Sequence, residues 1–594
     1  MSSRPAEISR GSSRGLPAFT GLLATFLRPY TGQLILVVVL MVGQGAGNLY
    51  LPILNADIIN TGVVKGDVGY IWRVGGFMLV IGVLVNALGL VAVYWAAHMS
   101  MAVGADLRAA VYQRVLAFSE RELSRFGIST LITRNVNDVQ QVQLFLLMTL
   151  SLLVSAIVMV FGSVILAARE DAVLSLLLVG TVPLMLVIIG VALFLLVPLS
   201  RSVQGKIDRI TAVLREQITG VRVVRAFLRT RFEQDRFGRA NLDMTRTGLR
   251  IDRIIAILFP VATGLTSLLT VAVIWFGSRL VSEGSMPIGT LTPFVLYIMQ
   301  ILAYIVVALL VVILMPHAMA SAERIDQVLD VVPAIAEPAR PVIPARATGD
   351  VEFRQAGFGY PGSERPVLHD LTFAFRAGQT SAIIGGTGSG KTTVLNLIAR
   401  FLDVTDGAVL VSGTDVRQQP LESLRAGIGL VPQTPFLFAG TVASNLRFAS
   451  GDATDEQLWR ALDIAQARDF VASMPGQLHA PIDQGGTNVS GGQRQRLSIA
   501  RALVRQPRLY LLDDCFSALD PVTDARLRAA LRAATADAAV VIVAQRVSTI
   551  MDADQIIVLD AGSVVGLGTH EQLLADCVPY QEIVASQLGE GASV

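Results

Sequence analysis

The run Gly385-Gly386-Thr387-Gly388-Ser389-Gly390-Lys391-Thr392 gathers four glycines, an ammonium and two kinds of hydroxyl into eight consecutive residues. It satisfies G-x-x-x-x-G-K-[ST]. It also follows the apolar run Ser381–Ile384 and opens onto Thr392-Thr393-Val394-Leu395, the strand-before, helix-after context that the motif requires. Glycines let backbone N–H groups turn inward around phosphate oxygens, and a helix start adds partial positive charge. Lys391 is then placed to reach β- and γ-phosphates, and Thr392 to ligate Mg²⁺ through its hydroxyl. Only three lysines occur in the chain, Lys65, Lys206 and Lys391. A compact ammonium fits such a cradle where a broad guanidinium does not, a reason for a lysine-poor chain to keep one here. The bland alternative, a glycine-rich turn of no consequence, fits the flanking pattern poorly.

Asp513 closes the apolar run Leu509-Tyr510-Leu511-Leu512. That places its carboxylate at the C-terminal edge of an expected strand, where ligands bind in open α/β folds. Alone, a strand-end aspartate is usually a turn former. Beside a phosphate loop it is expected to hold Mg²⁺ through water. With Val540–Val543 as another buried strand, residues 351–594 read as an α/β domain built on a parallel sheet.

The first half of the chain has a different character. Apolar residues make up 53% of the whole and charged residues 16%, with a mean hydropathy of +0.58. Soluble domains carry about a quarter charged residues, so part of this chain must face lipid. Stretches near 33–57, 72–97, 143–168, 173–198, 254–280 and 289–316 are long enough to cross a bilayer as helices. The third and fourth are joined by Arg169-Glu170-Asp171-Ala172, and the fifth and sixth by a short loop holding Gly284 and Pro287. The connections 99–142 and 199–253 are long, arginine-rich and free of proline, and are expected to continue as helices beyond the bilayer. By the positive-inside rule they lie in the cytoplasm, as does the N-terminus with Arg4, Arg10, Arg14 and Arg28. No signal peptide is read there. Residues 331–350, with Pro333, Pro338, Pro341 and Pro344, read as a linker between a membrane domain at 1–330 and the domain at 351–594. A net charge of +2 gives no argument for nucleic acid, and two distant cysteines, Cys515 and Cys577, give none for a disulfide framework.

Between the phosphate loop and Asp513 stands Val489-Ser490-Gly491-Gly492-Gln493 followed by Arg-Gln-Arg-Leu-Ser. This resembles the signature of ATP-binding cassette (ABC) proteins, and the whole chain is similar to an exporter-type half-transporter: an all-α six-helix transmembrane domain plus an α/β P-loop cassette. The resemblance implies ATP and Mg²⁺ as cofactors. It puts Tyr360 against adenine, Gln433 at the Q-loop beside Mg²⁺ and Ser517-Ala518-Leu519-Asp520 at the D-loop. It also implies that Ser490–Gln493 close on an ATP held by a second cassette. Segments near Ser119–Gly127 and Gly220–Phe227 resemble the loops that couple cassette to membrane domain.

The departures from that family pattern are informative. Asp514 stands where the family places the glutamate that polarises water, and Gln545 where it places the switch histidine. One lost methylene withdraws a carboxylate by about 1.5 Å, and small misplacements cost about a hundredfold in rate. Glutamine donates a hydrogen bond but cannot become positively charged. Both departures fall in one composite site while the signature is intact, which resembles the weaker half of a heterodimeric exporter. The expected partner is a homologous half carrying glutamate and histidine, and the expected cargo is amphipathic, lipid-like or drug-like. An importer on the same fold, an ATP-gated channel or regulator, and a homodimer using Asp514 as base stay open at this stage.

Overall fold

A membrane offers the backbone no water to bond, so a spanning segment must satisfy its own N–H and C=O groups. The computed structural model describes residues 15–360 and 362–589; Arg4, Arg10 and Arg14 lie outside the described residues. Six long apolar helical stretches are present: Phe19–Val63, Val68–Leu116, Ile128–Glu170, Leu174–Thr219, Thr230–Ser282 and Ile288–Leu329. Each contains one of the expected spans and outruns it. At 1.5 Å per residue, the 53-residue stretch is about 80 Å long, against about 30 Å of hydrocarbon. The polar connections are helical over most of their length, but the ladder breaks near 117–119, at Gly127, at Gly220 and near 227–229, in each case without a proline. The first stretch begins earlier than its hydropathy suggests. A helix over Gly15–Leu27 passes through the 3₁₀ turn Arg28–Tyr30, with proline at its start, into the helix Thr31–Asp57.

The chain divides into two compact units, one of Met1–Leu116 and Gly127–Val331, the other of Ala117–Phe126 and Val332–Val594. In the first, large apolar side chains point outward: Trp72, Phe77, Leu90 and Phe194 are each more than half exposed. That inversion suits lipid and would be a liability in water. The interior is built by close helix approach. Phe294, Tyr297, Ile298 and Ile301 of the sixth helix are buried, and the Tyr297 hydroxyl donates to the Leu49 carbonyl at 3.0 Å. A Cβ at Gly162 would lie 2.2 Å from Leu49 Cδ1, so a larger residue there would have to push the Leu49 side chain aside. Between the third and fourth helices a single extended residue, Asp171, makes the turn, and its Oδ1 accepts from the Leu174 N–H at 2.8 Å.

Polar groups in this unit are spent on fastening helices. Lys206 on the fourth helix donates to Asp243 Oδ1 at 2.9 Å and to Thr247 Oγ1 at 2.7 Å on the fifth. Asp138 is 3% exposed, accepts from Arg324 Nε at 2.8 Å and from the Ser321 hydroxyl at 3.1 Å, and sits at the end of a π-helical segment, Arg134–Asp138. Asn86, a polar residue within the second helix, donates to the Gly82 carbonyl of its own helix at 2.7 Å. Pro293 occupies the third position of its helix, where no intrahelical N–H bond is required, so it forces no kink; Pro183 and Pro260 are interior.

The second unit holds a six-stranded sheet whose neighbours run Ser563–Gly568, Gln555–Asp560, Thr380–Gly385, Ala539–Val543, Leu509–Asp513 and Ile428–Val431. All pairs are parallel except the first, and Val543 pairs with both Ile383 and Asp513. A four-stranded antiparallel sheet that includes Val351–Phe358 and Leu368–Phe375 packs its phenylalanines into one of the two cassette cores. Residues after Val331 are fastened to this unit and do not hang free: Arg400 donates to the Ala336 carbonyl at 3.0 Å, and the Val342 N–H to the Gln418 carbonyl at 2.8 Å. Arg400 itself is buried, and the Ala336 carbonyl of the proline-rich stretch adds to its ion pair with Asp403 at 3.0 Å.

Removing the Asp138 carboxylate strands the Arg324 guanidinium and the Ser321 hydroxyl beside a buried position. The variant Asp138→Ala is expected to lose about 2–4 kcal/mol, read as a lower thermal unfolding midpoint of the detergent-solubilised full chain by tryptophan fluorescence.

Candidate nucleotide site

Three adjacent parallel strands end side by side at Gly385, Asp513 and Val543. The loop after Gly385 turns into the helix Lys391–Ile398, capped by Gly390 in the left-handed region at φ +98. A Cβ there would stand 2.4 Å from Leu368 Cδ2, so the position demands glycine for space and for conformation. The result is a cleft of about 400 Å³ lined by Tyr360, Val367, Thr387, Gly388, Gly390, Lys391, Thr392, Thr393, Gln433, Asp513, Asp514, Val543 and Gln545.

Most residues singled out from sequence meet in this cleft. Gly385, Gly386 and Ser389 do not line it but stand behind it: the carbonyls of Gly385 and Gly386 accept from Lys391 Nζ at 2.8 and 2.7 Å, and Ser389 is buried. Burial lowers the Lys391 pKa below the usual ammonium range, opposed by the charges of Asp513 and Asp514. Thr392 Oγ1 donates to Asp513 Oδ2 at 2.9 Å. Tyr360 is 45% exposed and meets Phe358 edge-on at 4.9 Å, which leaves its ring available to a flat ligand. Val367 and Val543, missed in the sequence, supply apolar wall. Their only signal was a place beside the phosphate loop and at a strand end.

The corner that holds Asp514 and Gln545 is assembled from two strand ends. The Asp514 N–H donates to the Val543 carbonyl at 2.9 Å, and Asp514 adopts φ +46. The Gln545 side-chain amide donates to Asp514 Oδ2 at 2.9 Å. Burial pushes the Asp514 carboxyl above the ordinary range, opposed by the Gln433 amide and by the charges of Lys391 and Arg546. Asp513 is raised as well, again chiefly by burial, with the Thr392 bond acting against it. The hydroxyl of Thr392, the amide of Gln433 and the carboxylate of Asp513 together form a hard-oxygen donor set. It fits a cation such as Mg²⁺, which takes one or two protein carboxylates and completes its shell with phosphate and water.

Ser490 to Gln493 lie away from this cleft. Ser490 caps the helix Gly491–Val504, with a reciprocal capping box in which the Ser490 N–H donates to Gln493 Oε1 at 2.9 Å. Ser490 and Gly491 are exposed. The loop Ser517–Asp520 follows Asp514, and Asp520 caps the next helix by accepting from the Thr523 N–H at 2.9 Å.

Family models for the ABC transporter transmembrane region and for the ABC transporter cassette match residues 34–305 and 368–517. A protein of Mycobacterium tuberculosis (strain CDC 1551 / Oshkosh), named as an uncharacterised ABC transporter ATP-binding protein, is 44% identical over 95% of this chain and 98% of its own length. The chain belongs to the ABC transporter family. As an ABC transporter it is an ATP-binding ATPase and a multi-pass membrane protein, with six helices long and apolar enough to span. An ATP-dependent lipid A-core flippase of Bordetella avium (strain 197N) is 30% identical over 94% of both chains. A bacterial Atm1-family ABC exporter solved with ATP bound shares the fold, with a TM-score of 0.77 and 23% identity over 94% of this chain and 98% of that one.

Two outcomes follow for this ABC transporter's cleft. Lys391→Ala and Gly390→Ala are each expected to weaken ATP binding by at least about 10-fold, measured by calorimetric titration of the purified chain. The working form of a base is ionised, and burial favours the protonated form, so turnover rises with pH through a pKa displaced above the usual carboxylate value of about 3.9. Asp514→Asn removes that acid limb from the pH–rate profile.

Proposed function

We propose that this chain is the weaker-site half of a heterodimeric exporter that moves an amphipathic, lipid-like molecule across the cell membrane. In this reading the N-terminus, the long helical extensions and the cassette are cytoplasmic, in keeping with the arginine-rich connections. The lipid-flipping relative supports an apolar cargo, as do spans with few charges.

The observation that carries the reading is the Asp514–Gln545 pair. A short carboxylate already engaged by a neutral amide at 2.9 Å is a poor arrangement for polarising water. Gln545 offers no positive charge to the γ-phosphate. Tyr360, the loop Gly385–Ser389, Gly390, Lys391 and Thr393 would grip ATP. Thr392, Gln433 and Asp513 would hold Mg²⁺, which neutralises charge between the β- and γ-phosphates. Ser490, Gly491, Gly492 and Gln493 would close on the ATP of the partner, whose own glutamate and histidine would hydrolyse it. Binding at one site and hydrolysis at the other would then drive closure and reopening of the paired cassettes.

The decisive measurement is ATP turnover of the purified chain without a partner. Slow turnover is expected, together with a rise of about 10- to 100-fold in the double variant Asp514→Glu, Gln545→His. Fast turnover by the unaltered chain, silenced by Asp514→Asn, would overturn the unequal-halves reading in favour of a homodimer.

A further inference from the structure

The helix Val578–Gly589 has a task beyond covering the core. Tyr580, Val584 and Gln587 recur at i, i+4 and i+7, so they share one face. Tyr580 is fully buried and Val584 nearly so, in the same core as Val547 and Ile550. The Tyr580 hydroxyl lies 2.7 Å from His570 Nδ1, which fixes the helix to the segment before it. This seating delivers Gln587 to the backbone on both sides of Arg546. Its Nε2 donates to the Gln545 carbonyl at 2.7 Å, and its Oε1 accepts from the Val547 N–H at 2.8 Å.

The match is geometric. Arg546 is extended, at φ −103 and ψ 130, so the carbonyl before it and the N–H after it point to the same side, as on a strand edge. One primary amide carries both a donor and an acceptor at that spacing. Gln587 therefore does what a neighbouring strand would do, at the one place where the sheet has ended. A backbone fixed on both sides of Arg546 leaves Gln545 little freedom, and its side chain reaches Asp514 Oδ2. Tail helix, switch segment and base are linked in series.

We propose that Gln587 is a positioning residue for ATP hydrolysis: its side-chain amide clamps the backbone of Gln545 and Val547 and so sets the angle at which the Gln545 amide meets Asp514. The proposal rests on the roles of Gln545 and Asp514 given above, and adds that the C-terminal helix governs their alignment. It touches neither nucleotide nor water.

The test is a double-mutant cycle in the full-length chain reconstituted in lipid nanodiscs, with single-turnover ATP hydrolysis as the readout. Gln587→Met keeps the packing stem and removes both bonds; Gln545→Met removes the donor to Asp514. Gln587→Met is expected to slow the step about 5- to 10-fold, with ATP affinity within about 2-fold of the unaltered chain. Combined with Gln545→Met it should add nothing further. Independent, multiplying effects, or an unchanged rate in Gln587→Met, would overturn the clamp. Amide hydrogen exchange across 545–550 is the second readout: about 10-fold faster in Gln587→Met and unchanged in Gln545→Met. Unchanged exchange in Gln587→Met also overturns it. The absolute rate of the unaltered chain tests the weaker-site reading, whereas the cycle uses only ratios, so the two ideas fail separately.

Discussion

Hydrocarbon accepts no hydrogen bonds, and the organisation of this protein descends from that fact. Six stretches must close their own backbone bonds and become helices, and those helices continue well past their apolar runs, ending at turns such as Gly127 and Gly220. The stretch Thr230–Ser282 holds 53 residues although only its second half, near 254–280, is apolar enough to have been read as a span. Phosphate chemistry needs the opposite surroundings: converging N–H donors, an ammonium, carboxylates and access to water. The chain meets the two demands in separate units. Its charged machinery is confined to strand ends in the second, while polar side chains in the first, such as Asp138 and Lys206, are consumed in fastening one helix to another.

The cleft shows how a parallel sheet converts sequence separation into proximity. Gly385, Asp513 and Val543 are far apart along the chain, yet each ends a strand beside its neighbour. Residues placed just beyond those ends meet without any long side chain having to search for its partner. That is why Thr392 reaches Asp513 and Gln545 reaches Asp514 at hydrogen-bond distance. Lys391 is held by two loop carbonyls, so its charge is oriented by backbone that the glycines have already shaped.

Local pattern carried much of this information. Periodicity and length gave the six spans, because lipid imposes a threshold that a run of apolar residues either meets or misses. The phosphate loop was legible because its spacing follows from backbone geometry. What escaped sequence reading has a common cause: it depends on contacts between distant segments. Gln587 looks like any polar residue near a chain end, and only the fold brings it to Arg546. The stretch around Ala336 reads as a loose tether from its prolines, and only the burial of Arg400 shows why it is fastened. The segment Ala117–Phe126 sits inside the stretch assigned to the membrane domain and groups with the other unit; only its resemblance to a coupling loop, and not its composition, pointed that way.

The left-handed backbone at Asp514 bears on how such a chain changes over time. Aspartate tolerates that region better than longer side chains do, because its short carboxylate bonds locally. A glutamate at the same point trades conformational ease for reach. Drift from the longer acid to the shorter one therefore runs downhill in backbone energy, and the return runs uphill. Lengthening the acid at this point asks the backbone to hold a strained turn for a more mobile side chain, so reach and rigidity cannot both be gained by that one exchange.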